Sequence, residues 1–263
     1  MQYFFSLGVL SAVVLVVGVL ERLPRFRWRP LPIVRHYLGT DLAWYLVAAA
    51  ASAISAFAVA PLLARLALDP ISGLVGGLPS LARLLLAVAV FDLVSYASHV
   101  GMHHSETLWC VHKVHHSSHH LDGLATTRSH MFENLVRFAP AQAVLLLIGV
   151  PPAQVAIVVG IYAIFGVLNH SNLGLDVRWL EAVFVTPRLH RRHHVPDTSD
   201  RNFGTIFSLW DRVRGRLVRI DTEAHERFGV PGEIDVYPQR FRPALRQPAL
   251  QVRRRHTEAL AAR

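Results

Sequence analysis

Histidines recur in three short strings of this chain: His99-Val100-Gly101-Met102-His103, His112-Lys113-Val114-His115-His116 and His190-Arg191-Arg192-His193-His194. Residues three and four apart on a helix share a face, so each string is expected to aim its imidazoles at one place. Imidazole is the commonest biological metal ligand and suits iron, copper, nickel and zinc. The eight donors of the three strings exceed what one ion takes and are about right for two. A structural zinc closes with four ligands. An excess of neutral imidazoles instead leaves a pair of redox metals with uncompensated charge and open positions for dioxygen. The task that calls for such a centre is attack on an unactivated C–H bond, as in a lipid tail.

Residues outside the strings extend the set. His170, in Asn169-His170-Ser171-Asn172, ends an apolar run at the same expected depth and is read as a ninth ligand rather than a helix cap. Asp92 precedes His99 by seven residues, about two helical turns, and so shares its face. A carboxylate that deep needs a partner. A hydrogen bond from a ligating imidazole is preferred over a pair with Arg137 or Arg188. Asn169, His130 and Asn202 are further candidates for holding ligands in place. His104 points about 100° away from His103. His119 and His120 follow the helix end expected at Ser117-Ser118, and His36, His225 and His256 are read as surface residues. The single cysteine, Cys110, excludes an internal disulfide, a cysteine-held iron–sulfur cluster and a Cys-rich zinc site within the chain. No G-x-G-x-x-G is present to bind a dinucleotide. Electrons for a redox reaction are therefore expected from an external donor.

The elements that must position these residues are membrane helices. The chain has 263 residues, of which 52% are hydrophobic and 17% charged, against about a quarter charged in soluble domains. Apolar runs cover Phe4–Leu20, Leu42–Leu63, Leu84–Ser98 and Phe138–Leu168, the last cut by Pro151-Pro152 into an expected hairpin. The first run lacks a preceding basic residue and a small-residue cleavage site, so it is read as an uncleaved span rather than a signal. Arg22, Arg25, Arg27, Arg29 and Arg35 follow it, and more arginines crowd the C-terminal part, whereas the loop after the second run offers Arg65 and Asp69. By the positive-inside rule the N-terminus lies outside, and the C-terminus and all three histidine strings lie at the cytoplasmic face. The net charge of +9 is assigned to anionic lipid headgroups; no nucleic-acid motif accompanies it.

The expected fold is all-α, a polytopic helix bundle of four to five spans capped by the histidine-rich part. Short strands at Ile206–Leu209 and Leu217–Asp221 are permitted but not required. The expected organisation is 1–79 as N-terminal spans, 80–220 as the histidine domain, and 221–263 as a basic, disordered cytoplasmic tail.

The histidine strings and their surroundings resemble the fatty acid hydroxylase/sterol desaturase superfamily. Asp92-Leu93-Val94-Ser95-Tyr96-Ala97-Ser98-His99 is similar to its D-x-x-x-Y-x-x-H, and Leu108-Trp109-Cys110-Val111-His112-Lys113-Val114-His115-His116-Ser117 to its L-W-x-x-H-x-x-H-H-S. Asn202-Phe203-Gly204 and Trp210-Asp211-Arg212 resemble the N-[YF]-G and W-D-R that follow its last histidine string. Val100 stands where an arginine usually follows the first histidine. The resemblance spans roughly Leu81 to Arg219. It implies a non-haem di-iron membrane oxygenase that uses O2 and two electrons from a separate reductase, ferredoxin or cytochrome to hydroxylate or desaturate a sterol, fatty acyl or related lipid. The ligands it implies are His99, His103, His112, His115, His116, His170, His190, His193 and His194. Two other functions compete. A carotenoid hydroxylase or ketolase also uses histidine strings, but N-[YF]-G and W-D-R favour the sterol desaturase branch. A metal transporter needs polar residues through the bilayer, which the apolar runs hardly supply.

Overall fold

Backbone facing lipid must satisfy its own polar groups, and the apolar runs accordingly fold as helices. The computed structural model describes residues 2–54, 69–174, 177–220 and 227–261. Among them the helices are α1 Gln2–Leu20, α2 Leu38–Ile54, α3 Asp69–Gly76, α4 Ser80–His104, α5 Glu106–His116, α6 Met131–Arg137, α7 Ala139–Leu147, α8 Pro152–His170, α9 Pro187–His193, α10 Leu209–Val213 and α11 Phe241–Ala261. The chain is all-helical over the described residues, with isolated bridges Arg27–Leu173 and Phe184–Phe207. The strand permitted at Ile206–Leu209 is thus reduced to one bridge, and Asp221 lies outside the described residues.

Helices α4 and α8 are long and apolar enough to cross a membrane. Their 25 and 19 residues rise about 37 and 28 Å, against a hydrocarbon core of about 30 Å. Shorter apolar stretches occupy Gly8–Leu20 and Leu38–Ala51; the rest of the second apolar run, from residue 55, lies outside the described residues. The Phe138–Leu168 run breaks where expected. Gly149 takes a positive φ of 87°, and Pro152 opens α8 at a position where its missing N–H costs nothing. The first arm, α7, has nine residues and rises about 14 Å.

The core lies between α4, α7 and α8, where Ala87, Val88 and Phe91 meet Ala141, Leu145 and Leu146 and then Val155, Val158 and Tyr162. Helix α1 runs along α8 through Val17 and Val167. Gly123 sits against this seam, where a Cβ would come within 2.9 Å of Val17 and 3.1 Å of Val167. The C-terminal ends of α1, α4 and α8 and the start of α2 converge on one polar end. There the buried Glu21 carboxylate accepts from Gly123 N at 3.1 Å and Asn172 N at 3.0 Å. Arg35 bridges Asp122 (2.6 Å) and Asp41 (2.5 Å), and Arg128 closes the chain of charges on Asp41 at 2.6 Å. The arginines that follow α1 and the histidine strings therefore occupy the same end of the molecule.

The basic tail expected to be disordered is instead ordered over much of its length. Phe241, Ala244, Leu245 and Pro248 recur at one-turn spacing, and this narrow apolar stripe of α11 packs on α2 and α5 through Trp44 and Val114. The Phe241 and Trp44 rings meet edge to face at 4.8 Å. The arginines between the stripe positions dominate the composition and hide it.

Candidate metal centre

The polar end holds the histidines. His99 and His103 occupy the last turns of α4. Ser105 then turns the chain and caps α5, its hydroxyl accepting from Leu108 N at 3.4 Å. Helix α5 carries His112, His115 and His116; α8 ends on His170; α9 carries His190 and His193, with His194 as its C-cap. All nine come together in two groups: His99, His103, His112, His116 and His193, and then His115, His170, His190 and His194. In each group one ring nitrogen per residue lies within 4.8 Å of all the others.

The expectation that each string aims at a single point holds for His99 and His103 and is corrected for the other two strings. His115 sits with one group while its neighbours His112 and His116 sit with the other; His193 is divided from His190 and His194 in the same way. Adjacent residues on a helix diverge by about 100°, so α5 and α9 each lie between the two groups and feed both.

Second contacts decide which ring nitrogen faces inward. Nδ1–H of His99 donates to the Phe203 carbonyl (2.7 Å), that of His115 to Arg128 (3.2 Å), that of His170 to Gly166 (2.8 Å) and that of His193 to Arg201 (2.7 Å). Carbonyls only accept, so each of these rings keeps its proton on Nδ1 and a lone pair on Nε2. Their Nε2 atoms then face other ring nitrogens, lone pair to lone pair for His115 and His170. His99 and His112 are 3.0 Å apart at Nε2, His115 and His170 3.1 Å, His170 and His190 3.3 Å, and His190 and His194 3.3 Å. Nε2 of His103 and His193 and both ring nitrogens of His116 are buried without a hydrogen-bond partner. At least four of these Nε2 atoms are acceptors crowded against other ring nitrogens, a cost that a cation removes. Two opposite nitrogens at about 2.1 Å from a shared ion stand about 4.2 Å apart, so the observed 4.8 Å spread fits one metal per group after a small inward movement.

Burial drives the pKa values of His115, His116, His190, His193 and His194 well below that of free histidine, with neighbouring imidazoles adding to the effect in each. The rings are neutral, as metal ligands must be. Aromatic walls close the five-histidine group. Phe203 packs on His99, His103 and His193 at 5.6, 5.0 and 5.4 Å between centroids, and Trp109 on His103 and His116 at 4.8 and 5.3 Å.

Of the residues expected to orient the ligands, Asp92, Asn169 and Asn202 bind backbone around α9 and the stretch that follows it, and His130 lies apart. Asp92 touches no imidazole: it lies two turns below His99 and accepts from Ile206 N (3.0 Å), Phe207 N (3.0 Å) and Trp210 Nε1 (2.8 Å). It holds the 206–210 loop. Asn169 donates to the Thr205 carbonyl of that loop at 2.7 Å. Asn202, at φ 54°, donates to the carbonyls of Leu189 (3.0 Å) and Val218 (2.9 Å) and thereby ties the loop to α9. His130 makes no contact with the nine; it caps α6, accepting from Phe132 N at 3.3 Å. His104 is exposed, as its helical angle implies.

Sequence reasoning assigned no role to several residues that the site uses. Asp211 accepts from Phe203 N (3.0 Å), Gly204 N (2.7 Å) and Tyr96 Oη (3.3 Å), which holds the peptide whose carbonyl receives His99. Gly204 is required there, since a Cβ would lie 2.8 Å from the Phe207 carbonyl and 2.9 Å from Val185. Glu133 places Oε1 3.0 Å from His112 Nδ1. The available signal was a lone carboxylate in the apolar stretch Met131–Val136.

The sequence model of the fatty acid hydroxylase family matches residues 84–216, a stretch that contains all nine histidines. The chain is 28% identical to ornithine lipid hydroxylase OlsE of Rhizobium tropici over 158 residues, which cover 59% of this chain and 48% of that protein. It is 30% identical to alkylglycerol monooxygenase of Danio rerio over 135 residues, 49% of this chain and 29% of that protein. The chain thus spans half or less of the length of these curated relatives. No solved structure matches.

Proposed function

The chain belongs to the fatty acid hydroxylase family, and from that premise we propose that it is a membrane oxygenase that holds two irons and hydroxylates a C–H bond of a lipid. The observation that carries this reading is the pair of buried groups of converging imidazoles, in which four rings have Nδ1 anchored on backbone carbonyls and turn Nε2 inward. Five and four nitrogens leave coordination positions unfilled by protein at both ions, unlike a closed structural site. Two bound irons supply the redox chemistry that activates dioxygen for attack on an unactivated C–H bond. The net reaction, RH + O2 + 2e⁻ + 2H⁺ → ROH + H2O, takes its electrons from a separate reductase, ferredoxin or cytochrome.

The chain's own residues prepare that chemistry. Phe203, Arg128, Gly166 and Arg201 hold protons on Nδ1 of His99, His115, His170 and His193, so that four ligands present the correct nitrogen before any metal arrives. Phe203 and Trp109 keep water from the five-histidine group. Helices α4 and α8 end at the site, so a lipid beside them meets the metals at the end of the apolar layer. Arg22 and Arg35 at the same end support a cytoplasmic site by the positive-inside rule. Hydroxylation is favoured over desaturation because the named relatives are a hydroxylase and a monooxygenase.

The test is lipid mass spectrometry of cells expressing the wild-type chain or His193→Ala. Wild type should convert a membrane lipid to a product heavier by one oxygen, labelled from 18O2, and His193→Ala should not. An unchanged lipid profile with wild type, in a host supplying a competent electron donor, contradicts the proposal.

A further inference from the structure

The Nδ1 anchors are not alike. His99, His115, His170 and His193 donate to neutral backbone carbonyls. His112 instead faces a carboxylate, Glu133 Oε1 at 3.0 Å. Glu133 is 1% exposed and its Oε2 has no hydrogen-bond partner. The Arg137 guanidinium stands 3.8 Å away through Nη1, while its Nη2 donates to Tyr162 Oη and Thr205 Oγ1. His112 Nδ1, itself without a hydrogen-bond partner at this geometry, is thus the nearest nitrogen to the buried carboxylate, and a small ring rotation makes it the donor. The four-histidine group is set differently. Among the described contacts no carboxylate meets its rings, and the buried Arg191 guanidinium donates to the carbonyls of His170 (3.3 Å) and Ser171 (3.1 Å).

Resting on the two-metal reading above, we propose that Glu133 is a positioning residue for the five-histidine group: it holds His112 with Nε2 inward and sets a compensating negative charge beside that group alone, so that the two metal positions differ in how firmly they hold their ions. The opposite tautomer of His112 would turn a lone pair toward the carboxylate, and the two would repel. A carboxylate behind a ligating imidazole raises the basicity of the ring, and its loss typically weakens metal binding about 10- to 100-fold. Carbonyls orient a ring without supplying the charge. The Arg137 guanidinium lies near rings of both groups and pairs with Glu133 at 3.8 Å, so the difference in retention rests on the Glu133 carboxylate in direct contact with a ligating ring of the five-histidine group.

The experiment loads the full-length chain in detergent with Fe(II) and follows release to a ferrous chelator. Wild type should release about two irons per chain in two kinetic phases. Glu133→Gln keeps an acceptor for the His112 N–H and removes the charge; it should speed the slow phase about tenfold or more and leave the fast phase unchanged. Glu133→Leu should speed the slow phase further. Co(II)-loaded protein should show a changed ligand-field spectrum for the slowly released ion alone. Equal acceleration of both phases would mark Glu133 as a general packing residue and overturn the proposal. So would unchanged release in Glu133→Gln, which differs from wild type by one atom and is the variant expected to fold. Fewer than two irons in wild type would instead overturn the two-metal reading on which this inference rests.

Discussion

Asp211→Asn isolates the device that orients His99. The Asp211 carboxylate is buried and accepts from Phe203 N at 3.0 Å and Tyr96 Oη at 3.3 Å on one oxygen, and from Gly204 N at 2.7 Å on the other. Asparagine has the same shape but one acceptor oxygen. Whichever way it turns, its NH2 faces a backbone N–H and leaves that donor buried without a partner. An unmet buried donor costs about 1–3 kcal/mol, and exchanging the remaining charge-assisted bonds for neutral ones adds about 1 kcal/mol. The expected loss is therefore about 2–4 kcal/mol, or roughly 5–15 °C in Tm at about 2–4 °C per kcal/mol for a chain of this size. The same change frees the Phe203 carbonyl that receives the His99 proton, so metal affinity of the five-histidine group should fall while that of the four-histidine group stays. Thermal unfolding in detergent and Fe(II) titration read the two effects separately. A Tm within 1 °C of wild type, with unchanged metal binding, would refute the reasoning, because it would mean that this network neither supports the loop nor orients the ligand.

Acid should weaken the metal-free protein in a defined window. His115, His116, His190, His193 and His194 are held well below 6.5 by burial, so below about 6.5 the unfolded chain binds protons that the folded one refuses, and stability falls as pH falls. Tm of the metal-free protein should drop steadily from pH 7 to pH 5, and a flat profile would contradict neutral buried rings. Removing the metals with a chelator at pH 7.5 should itself lower Tm, since the metals bind the folded state and the emptied groups leave converging lone pairs uncompensated. Equal Tm values with and without metal would count against the site geometry.

The nine histidines that the fold gathers into two groups were legible because helical spacing and chemistry coincide: no other common role explains H-x-x-H-H twice among apolar runs. The division of each string between two groups was legible in principle, since it follows from the 100° step between adjacent residues. Asp92 misled because periodicity reports a shared face but not distance. Two turns separate it from His99, and the loop it holds comes from 114 residues further along the chain. Glu133 and Asp211 work through contacts distant in sequence, which single-chain patterns do not carry. The α11 stripe was overlooked because arginine composition outweighed four apolar positions at helical spacing. The long apolar helices α4 and α8 were evident from hydropathy, and the break at Pro151-Pro152 from proline geometry.

Metal content and coordination of the purified full-length chain test the central claim most directly. Iron analysis combined with X-ray absorption should give about two irons per chain in nitrogen-dominated coordination, with His116→Ala and His194→Ala each losing one. One iron per chain, none, or simultaneous loss of both from either single substitution would contradict the account of two separate histidine groups.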